Sequence, residues 1–328
     1  MYSLNSNDLR LFSGQSHPEL AAGIAAYLGI PLDPTHFDRY SNDNLYVQLG
    51  ASVRGRIVFI VQSLIQPVSE RILELLMMLD IARGAAAAEV HAIIPYYSYA
   101  RSDKKDAPRI SITARLIADL METAGATHIM TMTLHSPQVH GFFSVPTDPL
   151  TARFSFVRYI KECGINTKDS VVVSPDIGRA KPAARFARLL GISMAAAQKE
   201  RISDYEVKIG DTLERQIRGY RRALVYDDEI ATGATVMELS KLLVNYGVEE
   251  IVVICTHGLF TGNSLQRLSE FPQITKIITT DTVPIPAEKR GPKLEIISVA
   301  PVFGEAIRRN LLRQPIGDLF TYSEDQDE

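Results

Sequence analysis

Short apolar runs of strand length alternate with amphipathic helical stretches along almost the whole chain. The apolar runs occupy residues 57–61, 90–94, 128–133, 171–173, 224–226, 251–255, 277–280 and 294–299, and helical spacing occurs over residues 18–28, 68–82, 112–124, 181–190 and 236–246. This order is typical of a mainly parallel sheet with helices on both faces. With 328 residues, of which 46% are hydrophobic, the chain is long enough for two such α/β domains.

One order of elements also occurs twice. Residues 55–97 run from an apolar strand through a loop and a helix into a second strand, and residues 221–256 do the same. Only the second copy carries two adjacent acidic residues. We therefore predict two similar halves: an N-terminal domain over residues 1–149 and a C-terminal domain over residues 150–320, followed by an acidic tail over residues 321–328.

Charge and cysteine content narrow the classes of function. The formal net charge of −3 gives no electrostatic reason to expect a nucleic acid or an anionic membrane as partner. Only Cys163 and Cys255 are present, which excludes a disulfide framework and favours a reducing compartment. No apolar stretch is long enough to cross a bilayer, and the amino terminus lacks the pattern of a signal peptide, so we expect a cytoplasmic protein.

Candidate functional residues are most concentrated in residues 222–247, RALVYDDEIATGATVMELSKLLVNYG. An apolar run stops at Asp227 and Asp228, a turn of small and hydroxyl residues follows, and then an amphipathic helix begins. The carboxylates suit the hydroxyls of a sugar or the waters on a magnesium ion. The N–H groups at a helix amino terminus attract anions, so a phosphate is expected at Thr232, Gly233, Ala234 and Thr235. The alternative is an exposed turn with an N-capping threonine.

A second polar segment, residues 95–115, interrupts the apolar pattern with aromatic and charged side chains. Arg101 and the two lysines that follow it supply the positive charge that a triphosphate requires. Tyr96, Tyr97 and Tyr99 are of a size to flank a base. The alternative is a solvated loop before a capped helix.

Both stretches carry a family resemblance. VYDDEIATGAT, residues 225–235, resembles the phosphoribosyl-binding motif of type I phosphoribosyltransferases. PYYSYARSDKK, residues 95–105, resembles the ATP-binding segment of ribose-phosphate diphosphokinases, which are also called phosphoribosyl pyrophosphate synthetases. The resemblance to the synthetases runs from about residue 10 to residue 320. It implies two tandem phosphoribosyltransferase-like domains, each with a mainly parallel sheet flanked by helices.

Further segments resemble the synthetases in the same order along the chain. RYSNDN, residues 39–44, resembles the segment with which the family reaches an adenine, and it implies ATP contacts from Tyr40, Asn42 and Asn44, although asparagines replace two acids of the family pattern. Residues 124–150 resemble the segment that places His135 beside the ATP phosphates and their magnesium.

Two more matches follow. VVVSPDIGRAKP, residues 171–182, resembles the family's Ser-Pro-Asp element and implies that Asp176 binds magnesium or the ribose side of the substrate, with helix capping as the ordinary alternative. Lys199 and Arg201 match the Lys-x-Arg pattern of the catalytic loop, although such a triplet is also common on surfaces.

The resemblance implies that the β,γ-diphosphoryl group of Mg-ATP moves to the anomeric hydroxyl of ribose 5-phosphate, giving phosphoribosyl diphosphate and AMP. It assigns Mg²⁺ as cofactor, ATP and ribose 5-phosphate as substrates, and self-association from dimer to hexamer. It implies that Arg101, Ser102 and Asp103 contact ATP. It also implies that Lys199 and Arg201 offset the charge that develops during transfer.

Two alternatives stay open. A non-catalytic regulatory relative is favoured by Asn42, Asn44 and Ala231, since synthetases commonly carry an aspartate where this chain has Ala231. A phosphoribosyltransferase would share the loop at residues 227–235 but would give no reason for residues 95–106. The missing carboxylate at Ala231 predicts a weaker affinity for ribose 5-phosphate.

Overall fold

The computed structural model describes residues 8–165, 167–197, 199–201, 207–209 and 211–320, and for residues 199–201, 207–209 and 211 it describes the backbone only. The predicted acidic tail, residues 321–328, lies outside the described residues. The described chain forms two compact units: unit 1 comprises residues 8–151, 282–284 and 298–320, and unit 2 comprises the described residues of 152–281 and 285–297.

The strands and helices follow the predicted alternation, with ends that differ from the predicted ones by a few residues. The strands are β1 (Leu9–Ser13), β2 (Thr35–Arg39), β3 (Leu45–Leu49), β4 (Ile57–Val61), β5 (Glu89–Ile94), β6 (His128–Met132), β7 (Thr147–Leu150), β8 (Ser170–Ser174), β9 (Ser193–Ala196), β10 (Lys199–Arg201), β11 (Val207–Ile209), β12 (Arg222–Ile230), β13 (Glu250–Gly258), β14 (Ile274–Thr280) and β15 (Leu294–Ile297). The helices are α1 (Pro18–Leu28), α2 (Val68–Gly84), α3 (Thr113–Ala124), α4 (Arg153–Glu162), α5 (Ala180–Leu190), α6 (Asp211–Ile217), α7 (Ala234–Asn245), α8 (Ser264–Glu270) and α9 (Ala300–Leu311).

Each unit is built on a parallel sheet. In unit 1 the strand order is β1-β4-β5-β6-β7, and in unit 2 it is β15-β14-β13-β12-β8-β9. Neighbouring strands in both sheets pair in parallel. Central strands such as IVFIV of β4 are apolar almost throughout, because helices cover both faces of such a sheet. The predicted α/β class with mainly parallel sheets is therefore confirmed.

The two sheets also repeat one pairing scheme, as the predicted internal duplication requires. Ile57 of β4 registers with the first residue of β1, and Arg222 of β12 registers in the same way with the first residue of β8. Counting five residues onward from these equivalent positions, Gln62 corresponds to Asp227, and the next residue, Ser63, corresponds to the second aspartate. Unit 1 therefore carries Gln-Ser where unit 2 carries its acidic pair.

Gln62 closes the place in unit 1 that corresponds to the acidic pair. Its side chain is fully buried and accepts a hydrogen bond from Ser16 N–H at 3.1 Å. Its amide nitrogen donates to the buried carboxylate of Glu74 at 2.7 Å, and Glu74 in turn pairs with Arg71. A Cβ added at Gly14 would collide with the Gln62 side chain. Protein side chains therefore fill this position in unit 1. Of the two corresponding positions, the one in unit 2 carries the acidic pair.

The last helix belongs to unit 1. Helix α9 packs on α1, where Gly304 leaves room for the ring of Tyr27, and the Tyr27 hydroxyl donates to Glu305 at 2.9 Å. Arg308 and Arg309 also donate to this carboxylate, and hydrogen bonds from Arg308 above all lower the pKa of Glu305 to about 2. We predicted one C-terminal domain over residues 150–320, but residues 298–320 belong to unit 1. The reason is that the apolar face of α9 packs on α1.

A chain of titratable side chains with two buried histidines at its centre crosses the sheet of unit 1. His91 on β5 and His128 on β6 approach each other through their Nδ1 atoms at 2.8 Å. The outer ends of the chain are Glu89, 3.0 Å from His91 Nε2, and Asp148, 3.0 Å from His128 Nε2. Burial above all, and then the neighbouring His128, lower the pKa of His91 to about 4.

We expect acid to destabilise the protein through His91. Unfolded histidine titrates near 6.5, so between that pH and about 4 the unfolded chain binds a proton that folded His91 does not accept. Stability that is present above pH 6.5 is lost as the pH falls through this window, by up to roughly 3 kcal/mol. Urea unfolding at a series of pH values should therefore give a smaller slope of free energy against pH for His91→Asn than for the wild type.

The exposed His36 on β2 provides the matched control, His36→Asn. This variant should keep the slope of the wild type. Equal slopes for His91→Asn and the wild type would contradict the assignment of the acid sensitivity to His91.

Candidate active site

The acidic pair lies inside a strand and not at its end. Pairing of β12 with β13 continues past Asp227, which registers with Cys255, to Ile230. Pairing of β12 with β8 reaches only Val225. The prediction that the strand stops at the acidic pair is wrong, because β13 carries the backbone hydrogen bonds onward. The edge toward β8 opens where the carboxylates begin, at the carboxyl ends of parallel strands, where ligands of such sheets bind.

The two carboxylates differ in burial and in partners. Asp228 is 7% exposed, and its Oδ2 lies 2.7 Å from Nη2 of Arg179. Asp227 is partly exposed, and its Oδ1 accepts the N–H of Asp228 at 2.9 Å. Desolvation, followed by repulsion from the Asp228 carboxylate, raises the pKa of Asp227 well above its usual value. The pair thus combines a carboxylate held by an arginine with one that keeps its proton more readily.

Arg179 is a residue of this site that the sequence motifs did not reveal. It ends a short 3₁₀ turn, Ile177–Arg179, and its N–H donates to Oδ1 of Asp176 at 3.0 Å. Its guanidinium group reaches from the turn after β8 to Asp228 on the neighbouring strand. Asp176 therefore caps the turn, as the alternative interpretation stated, while its part in binding magnesium or ribose stays a prediction. The sequence shows a basic residue three positions after Asp176. Its partner, however, can be identified only once the neighbouring strands of the sheet are known.

The loop after β12 forms a helix amino terminus with an unusual backbone. Helix α7 begins at Ala234, and Gly233 is its N-cap with φ of 70°. Side chains other than glycine rarely adopt this left-handed conformation, and a Cβ there would lie 3.3 Å from Leu268 Cδ1. Thr232 and Thr235 are exposed. The loop lies between a strand and a helix amino terminus, as predicted, and it can present N–H groups and hydroxyls to an anion.

The segment after β13 holds this loop in place. Thr261 N–H donates to the carbonyl of Ala231 at 3.0 Å, and the hydroxyl of Ser264 donates to the same oxygen at 3.1 Å. Arg267 donates from Nη2 to the carbonyl of Thr232 at 2.8 Å. The loop therefore has a fixed backbone and a cation beside it, and both features favour a phosphate.

The predicted ATP-binding residues of unit 1 follow β5. Arg101 ends a 3₁₀ turn, Ser98–Arg101, and is exposed, whereas Ser102 and Asp103 are partly exposed. The backbone of Ser102 is fixed on both sides: its N–H donates to Tyr99 at 2.8 Å and its carbonyl accepts from Ala114 at 3.2 Å. Solvent therefore reaches these side chains on a backbone that α3 holds in place.

Two of the tyrosines before this turn have a different role from the predicted one. Tyr96 and Tyr97 are only 5% and 2% exposed. The Tyr97 hydroxyl donates to the carbonyl of Ala114 at 2.7 Å, its ring packs edge-on against Phe143, and burial raises its pKa. The expectation that they flank a base is wrong, because these large rings fill the core at the end of β5. Tyr99 is partly exposed and stays a candidate.

His135 lies beyond the carboxyl end of β6, the strand next to β5. The strand ends at Met132, and Thr133 then adopts φ of 43°, with its N–H donating to Leu150 at 2.9 Å. His135 is partly buried. Since β5 and β6 are parallel neighbours, His135 and Arg101 lie at the same edge of the unit 1 sheet.

The RYSNDN segment forms the tip of an antiparallel hairpin between β2 and β3. Tyr40 is 57% exposed, and Asn42 Oδ1 accepts the N–H of Asn44 at 3.3 Å. Asp43 has φ of 70°, which lies in the left-handed region. Arg39 holds it through a carboxylate contact of 2.9 Å. The tip is thus an ordered turn that presents an aromatic ring and an amide to solvent.

Lys199 and Arg201 lie on β10, which pairs with β11 in an antiparallel ribbon, Lys199 opposite Ile209 and Arg201 opposite Val207. Their side chains lie outside what the structure describes, so their predicted roles stay predictions. None of the helices in the described part of the chain is both long and apolar enough to span a bilayer.

Comparison with known proteins places this geometry in a family. Residues 9–125 match the sequence model for the N-terminal domain of ribose phosphate pyrophosphokinase, and residues 216–321 match the phosphoribosyl synthetase-associated domain. A Streptomyces coelicolor protein provisionally named ribose-phosphate pyrophosphokinase is 50% identical over 95% of this chain and 98% of its own length. The ribose-phosphate pyrophosphokinase of Deinococcus radiodurans is 42% identical over 95% of this chain and 98% of its own length.

A solved structure agrees with the sequence relatives. The crystal structure of phosphoribosylpyrophosphate synthetase from Mycobacterium smegmatis superposes with a TM-score of 0.85 and 35% sequence identity, covering 93% of this chain and 99% of that one. Identity of this extent over nearly the full length of both chains, together with the same two-unit α/β fold, shows that the chain belongs to the ribose-phosphate pyrophosphokinase family.

Proposed function

We propose that this chain is an active ribose-phosphate pyrophosphokinase, which transfers the β,γ-diphosphoryl group of ATP to ribose 5-phosphate and releases AMP. The observation that carries the proposal is the acidic pair on β12 followed by an open helix amino terminus at Thr232–Thr235, in a chain that aligns with nearly the full length of its relatives. The carboxylates accept ribose hydroxyls and the loop binds the 5-phosphate. Both ends of ribose 5-phosphate thus have a partner.

In the proposed reaction the anomeric oxygen attacks the β-phosphorus and gives up its proton to solvent. The bond from that phosphorus to the α,β-bridging oxygen breaks, and AMP leaves. Positioning and charge stabilisation are the main tasks of the protein in such a transfer. Asp227 and Asp228 orient the ribose, and Gly233, Ala234 and the two loop threonines hold the 5-phosphate. Arg101, Ser102, Asp103 and His135 bind ATP. Lys199 and Arg201 offset the charge that develops on the transferred group.

Magnesium fits the donors that the chain offers. Mg²⁺ is usually held by one or two carboxylates together with substrate phosphates. Among the described residues no group of three His, Cys, Asp or Glu side chains is assembled as a metal cage. The carboxylates of Asp176 and the acidic pair suit the shared mode of binding, with His135 near the ATP phosphates. When bound, the ion would neutralise phosphate charge.

The tip of the hairpin between β2 and β3 is the proposed adenine-binding element. Tyr40, Asn42 and Asn44 contact the adenine, where an amide can both donate and accept hydrogen bonds. Because the resemblance implies an adenine site that is completed by a neighbouring subunit, we also propose self-association from dimer to hexamer. A cytoplasmic location is part of the same proposal.

The test is an assay for AMP. Purified chain incubated with ATP, ribose 5-phosphate and Mg²⁺ should release AMP and phosphoribosyl diphosphate in equal amounts, measured by ion-exchange chromatography, and omission of any one component should abolish both. A chain that binds ribose 5-phosphate without releasing AMP would be a non-catalytic regulatory relative. Consumption of phosphoribosyl diphosphate in the presence of a nucleobase would identify a phosphoribosyltransferase.

A further inference from the structure

Arg179 gives the acidic pair a counter-charge that belongs to the protein itself. The guanidinium group lies 2.7 Å from Asp228, and the two side chains are only 12% and 6% exposed. Asp176 holds the backbone of Arg179 from the other side through its N–H at 3.0 Å. An arginine side chain stays charged at any pH in the physiological range. The cation beside the acidic pair is therefore permanent and positioned by two separate contacts.

The position of this cation matters for the charge of the ligand. Ribose 5-phosphate brings a phosphate dianion to a site that already holds the Asp228 carboxylate, and like charges repel strongly where solvent is partly excluded. Arg179 reduces that repulsion before any metal ion binds. It also holds the Asp228 carboxylate in one orientation, so the ligand does not have to order it.

We propose that Arg179 is a positioning residue of the ribose 5-phosphate site, which acts through Asp228 and allows the site to bind ribose 5-phosphate without a divalent cation. The inference rests on the proposed function, since it takes the acidic pair and the Thr232–Thr235 loop as the ribose 5-phosphate site. It goes beyond that function because a cation of the protein, and not a metal ion, supports the binding of ribose 5-phosphate.

Calorimetric titration of the full chain with ribose 5-phosphate, in EDTA and in excess Mg²⁺, tests the proposal. The wild type should bind in both conditions with affinities within about threefold of each other. Arg179→Gln should bind roughly tenfold or more weakly in EDTA, the loss expected for one charged hydrogen bond, and Mg²⁺ should restore most of the affinity. Arg179→Lys, which keeps the charge, should stay close to the wild type.

Two controls separate this role from a general loss of structure. Arg188→Gln removes an exposed arginine from the far end of α5 and should leave both affinities unchanged. In an Asp228→Asn background Arg179→Gln should cause a clearly smaller loss than in the wild type, because the part of its effect that acts through Asp228 is already removed. The Lys variant keeps the test decisive if the Gln variant fails to fold.

Three results would overturn the proposal: wild type that binds only with Mg²⁺, Arg179→Gln that binds normally in EDTA, or Arg179→Lys that binds as weakly as Arg179→Gln. The AMP assay is independent of these titrations. Absence of AMP with the expected titrations would reject the proposed reaction while keeping the role of Arg179.

Discussion

Replacing Asp228 with asparagine is expected to lower kcat/KM for ribose 5-phosphate by about 100-fold, mainly through a higher KM. The substitution keeps the shape of the side chain but removes the charge that, in the proposed function, accepts a ribose hydroxyl. It also leaves the guanidinium group of Arg179 beside a neutral amide, in a pair whose side chains are 12% and 6% exposed. Loss of one partner from a buried pair costs on the order of 3 kcal/mol of folding free energy.

Initial rates at varied ribose 5-phosphate and saturating Mg-ATP measure the kinetic effect, and urea unfolding measures the stability. The matched control is Asp80→Asn, since Asp80 is a 64% exposed carboxylate paired with Arg83 on α2. The control should change neither quantity appreciably. An unchanged KM in Asp228→Asn would remove this carboxylate from the ribose site.

Lys199→Ala should lower kcat by roughly 100-fold to 1000-fold while KM for each substrate changes by less than about threefold. A lysine that meets the transferred diphosphoryl group contributes most where charge develops, so its loss raises the barrier more than it weakens binding. Strand β10 pairs only with β11 among the described strands, and ribbons of two strands are marginally stable alone.

Steady-state rates with both substrates varied, together with single-turnover rates, separate binding from transfer. Lys208→Ala provides a control in the same ribbon, at the position that registers opposite Glu200. That variant should keep its kcat. If Lys199→Ala retained normal turnover, Lys199 would have no place in the mechanism.

The alternation of elements could be predicted from the sequence because parallel strands buried on both faces are apolar along their length. The end of β12 could not. Apolarity stops at Tyr226, yet the strand continues to Ile230, because its length depends on hydrogen bonds from β13, which side-chain polarity does not report. Tyr96 and Tyr97 illustrate the same limit, since an aromatic residue beside charged ones is equally consistent with a binding surface and with a core.

The candidate site was predictable where one continuous segment forms it. The acidic pair and the helix amino terminus are a few residues apart, so local sequence placed them together. Arg179 reaches Asp228 from a segment 49 residues away, and only the neighbouring positions of β8 and β12 bring them together. A contact set by strand order has no local sequence pattern.

The packing around Gln62 limits which residues unit 1 accepts at this position. Gln62 is surrounded by residues that suit its size and its hydrogen-bonding groups: Gly14 leaves it space, Ser16 donates to it, and Glu74 accepts from it. The adjacent Ser63 hydroxyl donates to the carbonyl of Thr282 at 2.7 Å. An aspartate introduced at position 62 would face the buried carboxylate of Glu74. A second acidic pair in unit 1 would therefore require simultaneous exchanges at Gln62 and at the residues that surround it.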